Sequence, residues 1–156
     1  MKKLVVVFTI AVMLFSCGKK EKTGDDFSQP TKEEKETTNP SSYDPKRGEG
    51  KFDNVELGAL DQAMATKGEE VAGVKCISCH KTTEEKLVGP GWKGVTERRK
   101  PEWIMNFITN PDPMIDKDPQ VQAQLEICLV RMPNQGLSDD DARNILEYMR
   151  KIDSEK

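Results

Sequence analysis

The chain has 156 residues, which is enough for one domain of ordinary size with additional segments. Hydrophobic residues make up 35% and charged residues 33%, so either part of the chain stays outside a folded core or an apolar group supplements the interior. A formal net charge of -3 excludes the basic excess that nucleic-acid binding requires, and no nucleic-acid partner is expected.

The N-terminus has the residue order of an export signal. Two lysines precede an apolar run over residues 4 to 15, which is too short to span a bilayer because a spanning helix takes about 20 residues. The run ends in L-F-S-C at residues 14 to 17, which resembles the bacterial lipobox. We therefore expect residues 1 to 16 to be a lipoprotein signal peptide and Cys17 to carry the lipid, with an ordinary signal peptide and an incidental Cys17 as the alternative.

A polar segment comes after the signal. Residues 18 to 57 consist mainly of charged residues, Thr, Ser, Pro and Gly, a composition that cannot bury enough apolar surface to offset the entropy of ordering. We expect residues 17 to 57 to form the lipidated N-terminus and a flexible linker, and residues 58 to 156 to form the folded domain. Residues 43 to 52 are less repetitive than their surroundings, which is compatible with packing against that domain.

Cys76, Cys79 and His80 form a C-x-x-C-H motif, the spacing used for covalent attachment of c-type haem. Two thiols three residues apart on a turn of helix can each add to one vinyl group, and the adjacent imidazole then falls beneath the iron. The motif predicts one covalent haem c with His80, the only histidine, as an iron ligand. A thioredoxin-like dithiol would need a preceding strand, and a zinc site would need a fourth ligand; both remain alternatives at this point.

A second axial ligand is expected because methionine opposite histidine is common in haem electron carriers. Met132 is the preferred candidate, since it lies in an irregular R-M-P-N stretch just before a predicted helix. Met114, in the segment P-D-P-M at residues 111 to 114, is the second candidate, and otherwise a loop methionine at the haem edge. Met105 and Met149 lie at positions typical of a helix core.

The domain has three clear helical patterns. One runs from Asp61 into the haem motif, one opens at residues 99 to 102 and ends at residues 110 to 111, and one begins after the Ser138 cap. We expect an all-α domain of about four helices wrapped around the haem. In the second helix Trp103 is either core or a wall of the haem pocket.

Two further residues have alternative interpretations. Arg99, like its neighbour Arg98, belongs either to a solvated basic turn or to a site that hydrogen-bonds a haem propionate. Cys128 is interpreted as a small buried hydrophobe because apolar residues flank it, although a lone thiol in an exported chain could also react or form an intermolecular disulfide.

With these motifs in place, residues 60 to 152 resemble a class I monohaem cytochrome c. Gly68 matches the glycine at which the first and last helices of that family cross, and Tyr148 matches the aromatic residue packed there. Residues 87 to 94, L-V-G-P-G-W-K-G, are similar to the family's G-P-x-x-x-G loop. The resemblance implies that the Pro90 carbonyl accepts the Nδ1 proton of His80 and so fixes the imidazole tautomer.

Residues 88 to 99 and 125 to 137 are similar to lipoprotein cytochromes associated with bacterial nitrous-oxide reduction. The resemblance implies a monomeric electron carrier, not an enzyme, tethered to a membrane by lipid and facing the periplasm or cell exterior. Its redox partner proteins would be a quinol-oxidising complex and a terminal reductase or oxidase, with nitrous-oxide reductase as one candidate. A peroxidase-like haem enzyme and a haem-based ligand sensor, both with an exchangeable sixth ligand, are the alternatives.

Overall fold

The computed structural model describes residues 43 to 155, which form six helices and no β-strand. The prediction of an all-α domain is confirmed, but the helices outnumber the expected four or so because two short segments are also helical. The helices are α1 (Gln62–Lys75), α2 (Val95–Arg98), α3 (Pro101–Thr109), α4 (Pro111–Lys117), α5 (Pro119–Cys128) and α6 (Asp139–Ser154).

Helices α1 and α6 pack together and form the frame of the domain. The Asp61 side chain caps α1 by accepting a hydrogen bond from the Met64 amide at 3.0 Å, and the Ser138 hydroxyl caps α6 by accepting one from the Asp141 amide at 3.1 Å. A Cβ atom added to Gly68 would lie 2.5 Å from the carbonyl carbon of Asn144 on α6. Glycine at this position therefore lets the two backbones approach, as the resemblance implies.

Helix α6 contributes one face to the central core, as does α3. Its acidic first turn, residues 139 to 141, lies where the helix dipole favours negative charge. One face is buried: Ala142, Ile145, Leu146, Glu147 and Met149. Among them Glu147 is a fully buried carboxylate, and Arg143 and Arg150 pair with it at 2.5 and 2.6 Å. Two guanidinium groups thus compensate the one acid within this face.

Helices α3, α4 and α5 succeed one another with single-residue junctions. Pro101 begins α3, where the missing amide proton of proline has no helical partner to lose. Asn110 ends α3, as predicted, but Pro111 immediately begins α4 instead of an irregular loop. Asp118 then caps α5, and its carboxylate accepts hydrogen bonds from the backbone amides of Gln120 at 2.8 Å and Val121 at 3.2 Å.

Residues 43 to 55 lie against the helices. The Asn106 side chain, fully buried on α3, donates to the carbonyls of Arg47 and Phe52 at 3.1 and 3.0 Å and accepts from the Phe52 amide at 2.9 Å. Phe52 and Val55 pack against the core cluster. The expected linker boundary at residue 57 is therefore too late, because side chains distant in sequence satisfy the backbone of this segment. Residues 17 to 42 of the expected linker lie outside the described residues.

The predicted signal peptide and the lipidation site Cys17 also lie outside the described residues. Within residues 43 to 155, none of the helices combines the length and the apolar character that a bilayer crossing requires.

Candidate haem-binding site

The C-x-x-C-H motif forms one tight turn at the end of α1. Cys76 is the C-cap of the helix, and its amide donates to the Ala72 carbonyl at 2.8 Å. The amides of Cys79 and His80 both donate to the Cys76 carbonyl at 3.0 Å. A single carbonyl therefore organises the turn, which carries both thiols and the imidazole at the end of a rigid helix.

The two thiols differ in their surroundings. Cys76 is 9% exposed, and burial raises the pKa of its thiol to about 11, opposed in part by the charge of Lys75. Cys79 is half-buried, with the Ser78 hydroxyl 3.8 Å from its sulfur. Both are unpaired, as is Cys128, among the described residues. Both thiols are thus available, within the described chain, for the covalent bonds that attach a haem.

The His80 imidazole has a defined orientation and tautomer. Its Nδ1 atom lies 2.8 Å from the Pro90 carbonyl oxygen. Because a carbonyl only accepts, Nδ1 carries the proton and Nε2 keeps its lone pair. Burial lowers the pKa of His80, although the hydrogen bond to Pro90 opposes this, so the ring is neutral at neutral pH. A neutral imidazole with an unprotonated Nε2 is the form that binds iron.

Backbone contacts hold the Pro90 loop against the motif. The amides of Val88 and Gly89 donate to the Cys79 carbonyl at 3.1 and 2.8 Å. A Cβ atom on Gly89 would lie 2.8 Å from His80 Nδ1 and 2.9 Å from Nε2, so only glycine leaves room for the ring. The resemblance predicts the contact of Pro90 but not this role of Gly89. The only feature of the sequence that points to it is the Gly-Pro pair at residues 89 and 90. The Trp92 ring also lies beside the imidazole, with 5.8 Å between the two ring centroids.

Met132 lies in a non-helical segment between α5 and α6. Leu129 ends α5 in the left-handed conformation, with φ of 59°. Beyond it, Met132 is half-buried and packs against the core cluster. Lys75, immediately before the haem motif, donates to the Gln135 carbonyl at 2.9 Å and so ties this segment to the end of α1.

The other methionines of the described chain belong to helices. Met114 is fully buried on α4, not on a loop: a Cβ on Gly48 would lie 2.5 Å from its methyl carbon. Met105 and Met149 are each 3% exposed in the core, as predicted. Met64 lies in the first turn of α1, twelve residues before Cys76, which is about 18 Å along a helix. Met132 alone among them lies outside a helix.

Trp103 and Arg99 form a stacked pair next to α4. Trp103 is 7% exposed, and its indole N–H donates to the Asp118 carboxylate at 2.9 Å. The Arg99 guanidinium carbon lies 4.1 Å from the centre of the Trp103 ring. Trp103 is thus part of the core and binds Asp118, a contact that the sequence did not indicate. Within residues 43 to 155, Arg99 makes no ion pair with a carboxylate.

Asp118 is the centre of a buried hydrogen-bond cluster. The Tyr43 hydroxyl donates to the same carboxylate oxygen as Trp103, and Asp118 itself is 1% exposed. Burial alone would raise the pKa of Asp118, but hydrogen bonds from Tyr43, Trp103 and two backbone amides outweigh it and lower the pKa. The cluster joins residues 43 to 55, α3 and the start of α5.

Cys128 is the last residue of α5. Its side chain is half-buried, so the prediction that it is a buried residue is wrong. Its apolar neighbours Ile127, Leu129 and Val130 are 57%, 83% and 54% exposed. The reason is that α5 packs mainly against α4 and buries only Val121, near its start, so the end of the helix is left at the surface.

The residues of this region fit a covalent haem. The donor set comprises two unpaired thiols on one helix turn and an imidazole whose Nε2 is unprotonated. Apolar side chains on the adjoining segments, Leu87 before the Pro90 loop and Ile127 to Val130 before Met132, suit contact with an apolar ring system. In contrast, the described residues contain no cluster of three His, Cys, Asp or Glu side chains that could hold a metal ion directly.

Comparison with known proteins agrees with this geometry. A family model for cytochrome c matches residues 65 to 153. Cytochrome c from Rhodothermus marinus is 35% identical and has a TM-score of 0.66, with 69% of this chain and 92% of that chain covered. An engineered cytochrome c from Rhodothermus marinus bound to a carbene intermediate has 35% identity and a TM-score of 0.60, covering 67% and 90%.

The cytochrome c domain of the pp3183 protein from Pseudomonas putida is 26% identical with a TM-score of 0.50, covering 56% of this chain and 89% of that one. The search of curated proteins finds no match. An all-helical domain with a C-x-x-C-H turn and an oriented histidine defines a c-type haem protein. The chain belongs to the cytochrome c family, and it is a haem-based electron carrier with covalently attached haem c.

Proposed function

We propose that this cytochrome carries single electrons with His80 and Met132 as its axial ligands, outside the cytoplasm and tethered to a membrane through Cys17. Haem supplies the one-electron chemistry, accepting one electron from a donor protein and passing one to an acceptor. Cys76 and Cys79 hold the group by thioether bonds. Pro90 keeps the His80 ring oriented, and Arg99 is a candidate partner for a propionate because its guanidinium stacks on Trp103 without a carboxylate partner in the described chain.

One observation carries the choice of Met132: among the described methionines it alone lies outside a helix, half-buried, on a segment tied by Lys75 to the end of α1. Met114 is fully buried under Gly48 and beside Trp103, so it could reach a haem only by leaving the core. Burying a methionine side chain stabilises a core by about 2 to 5 kcal/mol relative to alanine, which is the order of the cost of moving it.

The tether and the partners are proposed from the N-terminal sequence and the family resemblance. The polar residues before Tyr43 would let the domain move along one membrane face between a quinol-oxidising complex and a terminal reductase or oxidase. Nitrous-oxide reductase is the proposed acceptor within that class. Transfer of label from a radioactive fatty acid to the wild type, but not to Cys17→Ser, tests the tether. Label that remains on the Cys17→Ser protein would contradict it.

The axial ligand is tested with Met132→Ala in the haem-loaded protein. The variant should lose the weak near-infrared band of sulfur-to-iron charge transfer and should have a lower reduction potential, because thioether ligation favours the reduced state. Met114→Leu is the matched control: it removes the other candidate sulfur, nearly conserves volume and should cost less than about 1.5 kcal/mol of stability while keeping the band. Loss of the band in Met114→Leu but not in Met132→Ala would contradict the assignment.

A second measurement separates the carrier from the peroxidase-like and sensor alternatives. An electron carrier whose sixth position is filled by Met132 should not bind carbon monoxide when reduced, whereas an enzyme or sensor requires an open or exchangeable position. We expect an unchanged spectrum under carbon monoxide for the wild type and a shifted one for Met132→Ala. A shift in the reduced wild type at comparable gas concentration would favour the alternatives.

A further inference from the structure

The residue directly before Met132 is fixed to a neighbouring helix. Arg131 Nε lies 3.0 Å from Oδ1 of Asp112, and its Nη2 lies 2.9 Å from Oδ1 of Asp116. Nη2 also approaches the Asp112 carbonyl oxygen at 3.4 Å. The two acids are four residues apart on α4 and so share one face of that helix. These three side chains, Arg131, Asp112 and Asp116, form the α4 clamp.

The clamp matters because, apart from the packing of Met132 and Leu137 on the core, the segment that carries Met132 has few hydrogen bonds to the rest of the domain. Among the loop and turn hydrogen bonds between backbone groups of residues 43 to 155, none involves residues 130 to 137. Side chains support the segment instead. Lys75 holds the Gln135 carbonyl on one side of Met132, and the clamp holds Arg131 on the other.

We infer that Arg131 is a positioning residue for the Met132 thioether, which rests on the proposed ligation by Met132. The guanidinium fixes the residue next to Met132, so it would restrict how far the thioether can move from the position in which it would hold the haem. Without the clamp, the segment has one fixed point fewer and the thioether is displaced more readily by an external ligand. The clamp thereby keeps the sixth position closed in a protein whose task is electron transfer.

The expected size of the effect depends on the exposure of the clamp. Its side chains are 45%, 58% and 65% exposed, for Arg131, Asp112 and Asp116 respectively, so each ion pair is screened by solvent and contributes modestly. Loss of two such pairs together corresponds to a roughly three- to tenfold change in the equilibrium between the Met132 sulfur and a competing external ligand. Arginine is suited to the role because its planar fork reaches both acids at once, whereas a lysine ammonium is a single point charge.

The test measures binding of free imidazole to the oxidised, haem-loaded protein, a competition with the Met132 sulfur. Arg131→Gln should lower the imidazole dissociation constant about three- to tenfold. Lys117→Gln is the matched control, because Lys117 is on the same helix as the two acids, loses the same charge and forms an exposed ion pair with Glu49 at 3.2 Å, away from the ligand segment. Its dissociation constant should stay within about 1.5-fold of the wild type, because the pair of Lys117 with Glu49 does not hold the ligand segment.

A double-mutant cycle distinguishes positioning of the sulfur from general loosening. In the Met132→Ala background no sulfur competes, so adding Arg131→Gln should leave imidazole binding unchanged. An Arg131→Gln effect of equal size in both backgrounds would overturn the inference, as would equal behaviour of Arg131→Gln and Lys117→Gln. If instead Met132→Ala keeps the near-infrared band, the ligand assignment fails independently of the clamp.

Salt and a conservative variant give two further readouts. Because the clamp is exposed, raising sodium chloride toward 1 M, where the Debye length is about 3 Å, should shrink the difference between the wild type and Arg131→Gln. Arg131→Lys keeps the charge but reaches one acid at a time. Its imidazole affinity should therefore fall between those of the wild type and Arg131→Gln. A difference that is unaffected by salt, together with Arg131→Lys equal to Arg131→Gln, would contradict an electrostatic clamp.

Discussion

Substitution of Gly68 by alanine tests the helix crossing on which the frame of the domain depends. The added Cβ would lie against the carbonyl oxygen of Asn144, 2.5 Å from its carbonyl carbon and 2.9 Å from the Ile145 amide nitrogen. All three atoms belong to the backbone of α6, so no side chain can rotate away and the helices must separate. Such overpacking typically costs about 1 to 3 kcal/mol, and more where backbone must shift.

Alanine also has the opposite, local effect of favouring the helix. Replacing an interior glycine by alanine stabilises a helix by about 1 kcal/mol, and this gain alone is expected at Gly73 on the same helix, where an added Cβ meets no atom within 4 Å. We expect Gly68→Ala to lose about 2 kcal/mol of unfolding free energy and Gly73→Ala to gain up to about 1 kcal/mol. The difference of about 3 kcal/mol corresponds to roughly a hundredfold change in the unfolding constant.

Urea denaturation of the haem-loaded proteins, monitored by far-ultraviolet circular dichroism, measures both variants on one scale. The comparison within α1 removes helix propensity as an explanation, because both sites gain the same methyl group. A Gly68→Ala protein that is as stable as Gly73→Ala would refute the close crossing of α1 and α6.

Two further predictions concern buried acids. Glu147→Gln should cost about 3 kcal/mol in urea denaturation, because it leaves the partly buried Arg143 and Arg150 without a carboxylate; a loss below about 1 kcal/mol would contradict this. Since the pKa of Asp118 is lowered in the folded state, its stabilisation is present above about pH 4 and lost as the pH falls through the folded pKa. Asp118→Asn should therefore flatten the decline in stability between about pH 5 and 3, and an unchanged slope would argue against it.

Local signals in the sequence predict the frame of the fold well. Ser138 caps α6 as predicted, because an N-cap depends on a few neighbouring residues, and α1 begins directly after Asp61, where the helical pattern starts. Pro111 is compatible with two outcomes, because proline after Asn110 ends a helix and proline is also favoured as the first residue of one. In the structure it begins α4, whose Met114 and Ile115 are buried, and burial of this kind depends on residues distant in sequence. Local patterns thus define the end of a helix better than they define the conformation of the next segment.

Contacts between distant residues account for most of the features that the sequence did not predict. Residues 43 to 55 pack through hydrogen bonds to Asn106 and Asp118, which lie more than 50 positions further along the chain. The polar composition of residues 43 to 55 does not indicate these contacts. The Pro90 contact was predictable only through resemblance to a family. The α4 clamp has no sequence motif, because Arg131 is 15 and 19 residues from its two acids and meets them only in the folded chain.

The two proposed axial ligands are held in different ways, and the difference suits an electron carrier. His80 is part of a network of backbone groups: its own amide, the amides that bind the Cys79 carbonyl, and the Pro90 carbonyl on its ring. Met132 is held by side chains and by packing of its own apolar surface. Backbone networks on a helix end restrain motion more than exposed ion pairs do, so the histidine side is fixed and the methionine side is adjustable. Substitutions that change ligand exchange without unfolding the domain should therefore concentrate on residues 129 to 137 and on the α4 face that binds them.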